Sequence, residues 1–332
     1  MSVTEAAQKE NVVMRAGDCS VTILPQLGGK IASIRVKDTE LLQAPLLAYS
    51  PRTQTMSFDE GDASGWDECL PSVAACAMKT YAGTAQIPDH GDLWRVEWKS
   101  REKRIGNREQ DSDGAVTLVG KCFSLPLDLE RTARLTETAS GWRLQLDYQV
   151  RNTGAFVVPW SWAAHPLFVA EAGDRIVLPE SIQTLRVEGS GGGRLGKGGD
   201  TVSWPVAELA DGSRSDMSVA QAPESGIGDK LFAGPLKSTE NWCALERPGA
   251  GVRIKFGFDA SATPYLGLWI CYGGWPERPG PKQVCVALEP ATAPVDSLAV
   301  TGSWSRELAA GESFSWAMTV EIENLLSENT NA

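Results

Sequence analysis

The sequence predicts an all-β fold of mainly antiparallel strands, and three observations carry that prediction. First, apolar and polar residues alternate without a break along Arg143-Leu144-Gln145-Leu146-Asp147-Tyr148-Gln149-Val150-Arg151 and again along Val252-Arg253-Ile254-Lys255-Phe256-Gly257-Phe258, the period of a half-buried strand. Second, turn signals such as Asn152-Thr153-Gly154, Arg247-Pro248-Gly249 and Gly273-Gly274 punctuate the chain at short spacing, as in large sandwiches and barrels. Third, no run of ten or more residues carries a convincing helical stripe.

Taken in order, further strands are expected at 12–16, 20–24, 30–36, 93–100, 116–123, 129–136, 157–161, 242–246, 265–271, 283–289 and 313–322. One short helix is expected to start at Asp296, with the aspartate as its N-cap. The glycine-rich stretch from Gly189 to Gly199 contains a formal G-x-G-x-x-G (Gly191, Gly193, Gly196). Gly198 stands where a phosphate loop needs Ser or Thr, and no helix pattern follows, so a surface loop is expected rather than a nucleotide site. No composition break or fixed-period repeat divides the chain, which reads as one domain over 1–332 with its core at about 12–322.

Bulk chemistry narrows the partners. The chain has 332 residues, 42% of them hydrophobic and 22% charged, enough to bury a sizeable core. A net charge of -11 leaves no basic patch to neutralise phosphates, so nucleic acid and anionic membrane are excluded as expected partners and a small neutral substrate fits better. The first 17 residues carry Glu5, Lys9, Glu10 and Arg15 without an apolar run, so no secretory leader is read. The longest apolar stretch, near Tyr265 to Tyr272, is far too short to span a bilayer. The seven cysteines include no Cys-x-x-Cys pair; free thiols in a reducing cytoplasm are expected, with neither a disulfide framework nor a zinc site. The twelve tryptophans are mostly core, although indole faces also stack on sugar rings.

Candidate chemistry starts from the two histidines, since imidazole alone titrates unperturbed near neutrality. His90 lies in Pro88-Asp89-His90-Gly91-Asp92-Leu93-Trp94 and His165 in Trp162-Ala163-Ala164-His165-Pro166-Leu167-Phe168. Both segments look too irregular for plain strand, and their shared company of aromatics, glycine and proline points to one acid–base pocket. The third candidate is Glu289, at the end of the apolar strand Val284-Cys285-Val286-Ala287-Leu288 and before Pro290. A carboxylate at the mouth of a buried strand should be partly desolvated and therefore more basic.

The segments Gly28-Gly29-Lys30-Ile31-Ala32-Ser33-Ile34, Asp89-His90-Gly91, Ala164-His165-Pro166-Leu167-Phe168, Gly228-Asp229-Lys230-Leu231-Phe232, Ala287-Leu288-Glu289-Pro290 and Leu308-Ala309-Ala310-Gly311-Glu312-Ser313 fall in the order of motifs of the aldose 1-epimerase family, which the chain resembles over nearly its whole length. That resemblance implies a large β-sandwich of the galactose mutarotase type, binding one pyranose on a concave face. It implies His165 as general acid, Glu289 as general base, His90 as a substrate-binding imidazole and Asp229 as a carboxylate bonded to sugar hydroxyls. It implies neither metal nor other cofactor. Acidic neighbours are expected to help keep His165 protonated at neutral pH.

The departures are informative. Hexose-6-phosphate members resemble one another in arginines that this chain lacks: it has Ala63-Ser64-Gly65-Trp66-Asp67-Glu68-Cys69-Leu70-Pro71, then His90-Gly91-Asp92-Leu93-Trp94. With Asp67 and Glu68 adding negative charge, a phosphate would meet repulsion instead of a bidentate clamp, so an unphosphorylated aldose is expected. Arg52 and Arg95 are both open as substitutes for the arginine of galactose mutarotases. Trp66 and Asp67 are candidates for an altered sugar-recognition wall, with core packing the alternative for Trp66 and Trp94. Trp269 reads as core. Two alternatives stand beside the mutarotase: a relative acting on a hexose 6-phosphate, and a carbohydrate-binding protein without turnover. A glycosidase would need a second carboxylate across from Glu289, for which Asp67 or Asp92 would have to serve.

Overall fold

The computed structural model describes residues 11–81, 83–101, 114–300 and 304–325; the first ten residues, where no leader was read, lie outside them. Two large antiparallel sheets dominate. Among the described residues, the larger has eleven strands. Its middle is formed by Trp66–Cys69, Ala163–Val169, Val284–Ala291, Tyr265–Tyr272 and Ile227–Ala233, in that spatial order. The second has eight, with Val252–Phe258, Ser313–Asn324, Gly141–Asn152 and Leu127–Thr138 side by side at its centre. Helical structure among the described residues is confined to three-residue turns such as Leu93–Arg95 and Leu298–Val300. None is long and apolar enough to cross a membrane.

The alternation in the sequence explains the second sheet directly. Leu144, Leu146, Tyr148 and Val150 are buried while Arg143, Gln145, Asp147 and Arg151 point outward or lie half-buried. Ile254, Phe256, Met318 and Val320 continue the same apolar face across the neighbouring strands. That face packs on Leu231, Leu268, Ile270, Val286 and Leu288 of the larger sheet, in one continuous cluster. Each such side chain, fully buried, contributes roughly 1.5–3 kcal/mol.

Three expectations need correction. The 93–100 stretch is a short turn at Leu93–Arg95 with only Lys99–Ser100 in a strand, because Trp94 and Trp98 both bury and strict alternation cannot bury them together with Leu93. The stretch around His165, judged too irregular, is a regular strand in the middle of the larger sheet. Nearly all its residues are buried, so no polar face reveals the period. The expected helix at Asp296 is only the Leu298–Val300 turn.

Candidate functional site

The outer face of the larger sheet, turned away from the second sheet, carries a hollow of about 250 Å³. Strand alternation decides what reaches it. In the register Lys230↔Trp269↔Ala287 one set of side chains points outward, whereas Asp229↔Ile270↔Val286 points into the sandwich. Phe232, Gly267 and Glu289 again share the outer side. His165 joins them from the adjacent strand, between the registered pairs Ala163↔Ala291 and Leu167↔Ala287.

Three candidates therefore meet. His165 Nε2 lies 3.8 Å from Glu289 Oε1, and the His90 and His165 rings stand edge to face at 5.0 Å. His90 is held from both sides: Phe58 stacks on its ring at 3.8 Å, and Asp89 Oδ2 lies 2.8 Å from Nδ1. Its backbone is left-handed, φ 57°, which costs a non-glycine residue energy and recurs at functional sites. Arg95 braces this turn by donating to the carbonyls of Asp89 (2.6 Å), Gly91 and Met56. Trp269 and Trp275 form apolar walls of the hollow, and the Trp269 indole N–H donates to Gln283 at 2.9 Å.

Lys230 and Asp296, neither foreseen as site residues, also line the hollow. The Lys230 ammonium is bonded to Glu289 Oε2 and lies 3.6 Å from Asp296 Oδ1. The sequence signal was present in Gly228-Asp229-Lys230-Leu231-Phe232, but only the register says whether Asp229 or Lys230 faces outward. Glu289 itself sits within the strand and is fully buried, not at its mouth. Burial pushes its carboxyl up from the usual carboxylate range, opposed by Lys230. Burial likewise pushes Asp296 up, again opposed by Lys230.

The protonated His165 expected from acidic neighbours is not what the surroundings favour. Burial, then the nearby His90, Lys230 and Lys30, push its imidazole well below the ordinary value. Asp67, its registered neighbour, is paired with Lys30 and does not offset that burial.

Other candidates stand elsewhere. Asp229 is buried on the inner side, accepting from Ser190 Oγ and Arg194 Nε at 2.7 Å each. Trp66 packs inside the sandwich against Phe256, rings 5.8 Å apart. Asp67 lies in a buried cluster with Lys30, Asp62 and Arg52. Glu68 faces the inner core, bonded to Arg131, Tyr148 and Trp162. Neither carboxylate lends charge to the hollow, so the repulsion of phosphate expected from them does not arise there. Asp92 is tied to Ser124 and the Phe123 N–H. Arg52 pairs with Asp62 and, like Arg95, lies over Trp94; neither arginine is among the lining residues. Trp269, read as core, is instead a wall of the hollow because its strand turns odd positions outward.

The Gly189–Gly199 stretch leaves the Thr184–Ser190 strand through a three-residue turn. Its Arg194 is the cation that holds Asp229.

No protein-family model and no functionally curated protein matches the sequence. Among solved structures, a Synechocystis protein superposes with TM-score 0.68 at 14% identity, covering 95% of this chain and 96% of its own. A galactose mutarotase related enzyme from Lactobacillus acidophilus gives 0.63 at 15% identity, covering 97% and 100%. A galactose mutarotase-like protein from Lactobacillus casei gives 0.63 at 18% identity, covering 95% and 100%. Identities this low speak to the fold, and with the two facing sheets and their outer hollow they show that the chain has the galactose mutarotase-like fold.

Proposed function

We propose that this protein is an aldose 1-epimerase, interconverting the α and β anomers of an unphosphorylated aldose. The observation that carries the reading is the approach of Glu289 Oε1 to His165 Nε2, 3.8 Å, at a hollow walled by indoles. The hollow's volume of about 250 Å³ lies below the roughly 300–1,000 Å³ of drug-sized ligand sites, a scale that suits one sugar ring. Trp269 offers a face for its C–H bonds.

Ring opening removes the proton of the O1 hydroxyl and breaks the bond from C1 to the ring oxygen, which takes up a proton. The open aldehyde turns about C1–C2 and recloses with the opposite face attacked. One proton leaves and one arrives, so the couple ends as it began. Glu289 serves O1 through its unpartnered Oε1, and His165 serves the ring oxygen. Burial raises the carboxyl and lowers the imidazole. The proton that Glu289 takes from O1 on opening is returned on closure, as is the one that His165 gives the ring oxygen, so the two act as one couple. His90, fixed by Phe58 and Asp89, is placed to bond a ring hydroxyl.

Phosphorylated sugars fit less well. The lysine lining the hollow is already bonded to Glu289 and close to Asp296, and Asp89 adds negative charge. Burial would raise Asp89, but its bonds to His90 and the charges of His90 and Arg95 together outweigh this and hold it below the usual carboxylate range.

Polarimetry of freshly dissolved α-glucose and α-galactose tests the proposal. The wild type should accelerate mutarotation, with kcat reduced about 10²–10⁴-fold in Glu289→Gln. His165→Asn should lose kcat with KM within about twofold. A wild type that binds an aldose but accelerates none on a panel would be a carbohydrate-binding protein. Inhibition by inorganic phosphate or preference for sugar phosphates would favour a hexose 6-phosphate instead.

A further inference from the structure

The proton couple needs Glu289 to present one oxygen in one charge state, and burial alone secures neither. Three features of the sheet bear on this. The Lys230 ammonium is bonded to Oε2, leaving Oε1 without a hydrogen-bond partner on the His165 side. Directly across in register from Glu289 stands Gly267, where an added Cβ would lie 2.8 Å from Oε2. The carboxylate therefore lies over a gap in the neighbouring strand on its way to Lys230. Among the described residues, the other groups near the carboxylate are His165 at 3.8 Å, Asp296, itself 3.6 Å from the ammonium, His90, and the buried Cys69 and Cys285 thiols.

From this arrangement we propose that Lys230 is a positioning residue, clamping Glu289 Oε2 over Gly267 so that Oε1 is left for the substrate and an ammonium charge, instead of a proton, balances the carboxylate. The role rests on the epimerase reading of the same hollow. Lys230 keeps its proton in turn: burial works against the ammonium, but Asp296 and Glu289 outweigh it and push its pKa up. Asp296 Oδ1, 3.6 Å from the ammonium, gives it a second carboxylate neighbour. Without Lys230, desolvation of Glu289 is unopposed by its nearest cation, and the carboxyl binds a proton at higher pH.

Two readouts on the full chain test this. In the pH profile of kcat/KM for mutarotation, K230M should move the acid limb upward by more than about one pH unit and lower kcat at least about tenfold, while K230R keeps the wild-type limb. Infrared titration of the protonated-carboxyl band abolished by E289Q needs no turnover, and that band should persist to higher pH in K230M. Should K230M fail to fold, G267A, whose Cβ displaces Oε2 from the clamp, should show the same direction of shift in both readouts. An acid limb and carboxyl band in K230M, or in G267A, at the wild-type positions would overturn the clamp. Absence of mutarotation in the wild type, with the band still shifting, would sink the epimerase reading and leave the Lys230–Glu289 coupling standing.

Discussion

Lys30, Asp62, Arg52 and Asp67 show how a single buried cation decides which carboxylates are available for chemistry. Lys30 is fully buried and takes Asp67 and Asp62 together, and Asp62 is also held by Arg52. Burial would raise the Asp62 carboxyl, but Lys30 and Arg52 outweigh it and hold it at about 2. Against an unfolded value of about 3.9, this shift corresponds to roughly 2–3 kcal/mol. Because the folded value is depressed, that stability is present above about pH 4 and lost as the pH falls towards about 2. The urea midpoint of the wild type should therefore drop across that window, and Asp62→Asn should flatten the drop; equal slopes in the two proteins would remove the carboxylate from the account. The sequence put Asp67 in the recognition wall because its neighbours resembled a binding segment. What it could not show was that Lys30, more than thirty residues earlier, claims that charge.

Single elements place the site through their phase. His90 depends on the loop that carries it: Gly91, φ 68°, passes so close to the adjoining chain that an added Cβ would lie 2.3 Å from the Leu70 carbonyl oxygen. Gly91→Ala meets both a left-handed backbone and a backbone clash. It should raise KM for the aldose at least about fivefold and lower the urea midpoint, since strain at such a position costs of order 1–3 kcal/mol. A variant with unchanged KM would show that the turn does not set the imidazole. The histidine motifs marked these elements in the sequence, yet the strand character of Ala163–Val169 stayed hidden because both of its faces are buried. The same ambiguity hid Lys230: in the Ile227–Ala233 strand, residues 229 to 233 are all buried, so no exposed side reveals which of Asp229 and Lys230 turns outward.

At the scale of the molecule, an ionic contact links the two sheets. Glu68 of the larger sheet meets Arg131 and Tyr148 of the smaller, each at 2.9 Å, with Trp162 donating to its second oxygen at 3.0 Å. Arg131 is also bonded to the Gly29 carbonyl and lies over Trp98 at 5.0 Å. Burial raises Glu68 even against Arg131, Tyr148 and Trp162, so its charge depends on this company. Arg131→Met should destabilise by roughly 3–5 kcal/mol, because it strands a buried carboxylate, and adding Glu68→Leu should recover much of the loss. Urea unfolding of the single and double variants checks this; a single-variant cost below about 1 kcal/mol would show that the contact is not what it looks like.

By itself the sequence determined that the chain is antiparallel β, and it marked His90, His165 and Glu289, because alternation, turn residues and short motifs are local properties. Only the tertiary structure decided the company those residues keep. Outward or inward placement of Lys230 and Asp229, the loss of Trp66 to the core and the gain of Trp269 by the hollow all follow from register between strands far apart in the chain. A one-residue change of register reverses every side chain's face, and nothing within a strand buried on both faces records which of the two was chosen.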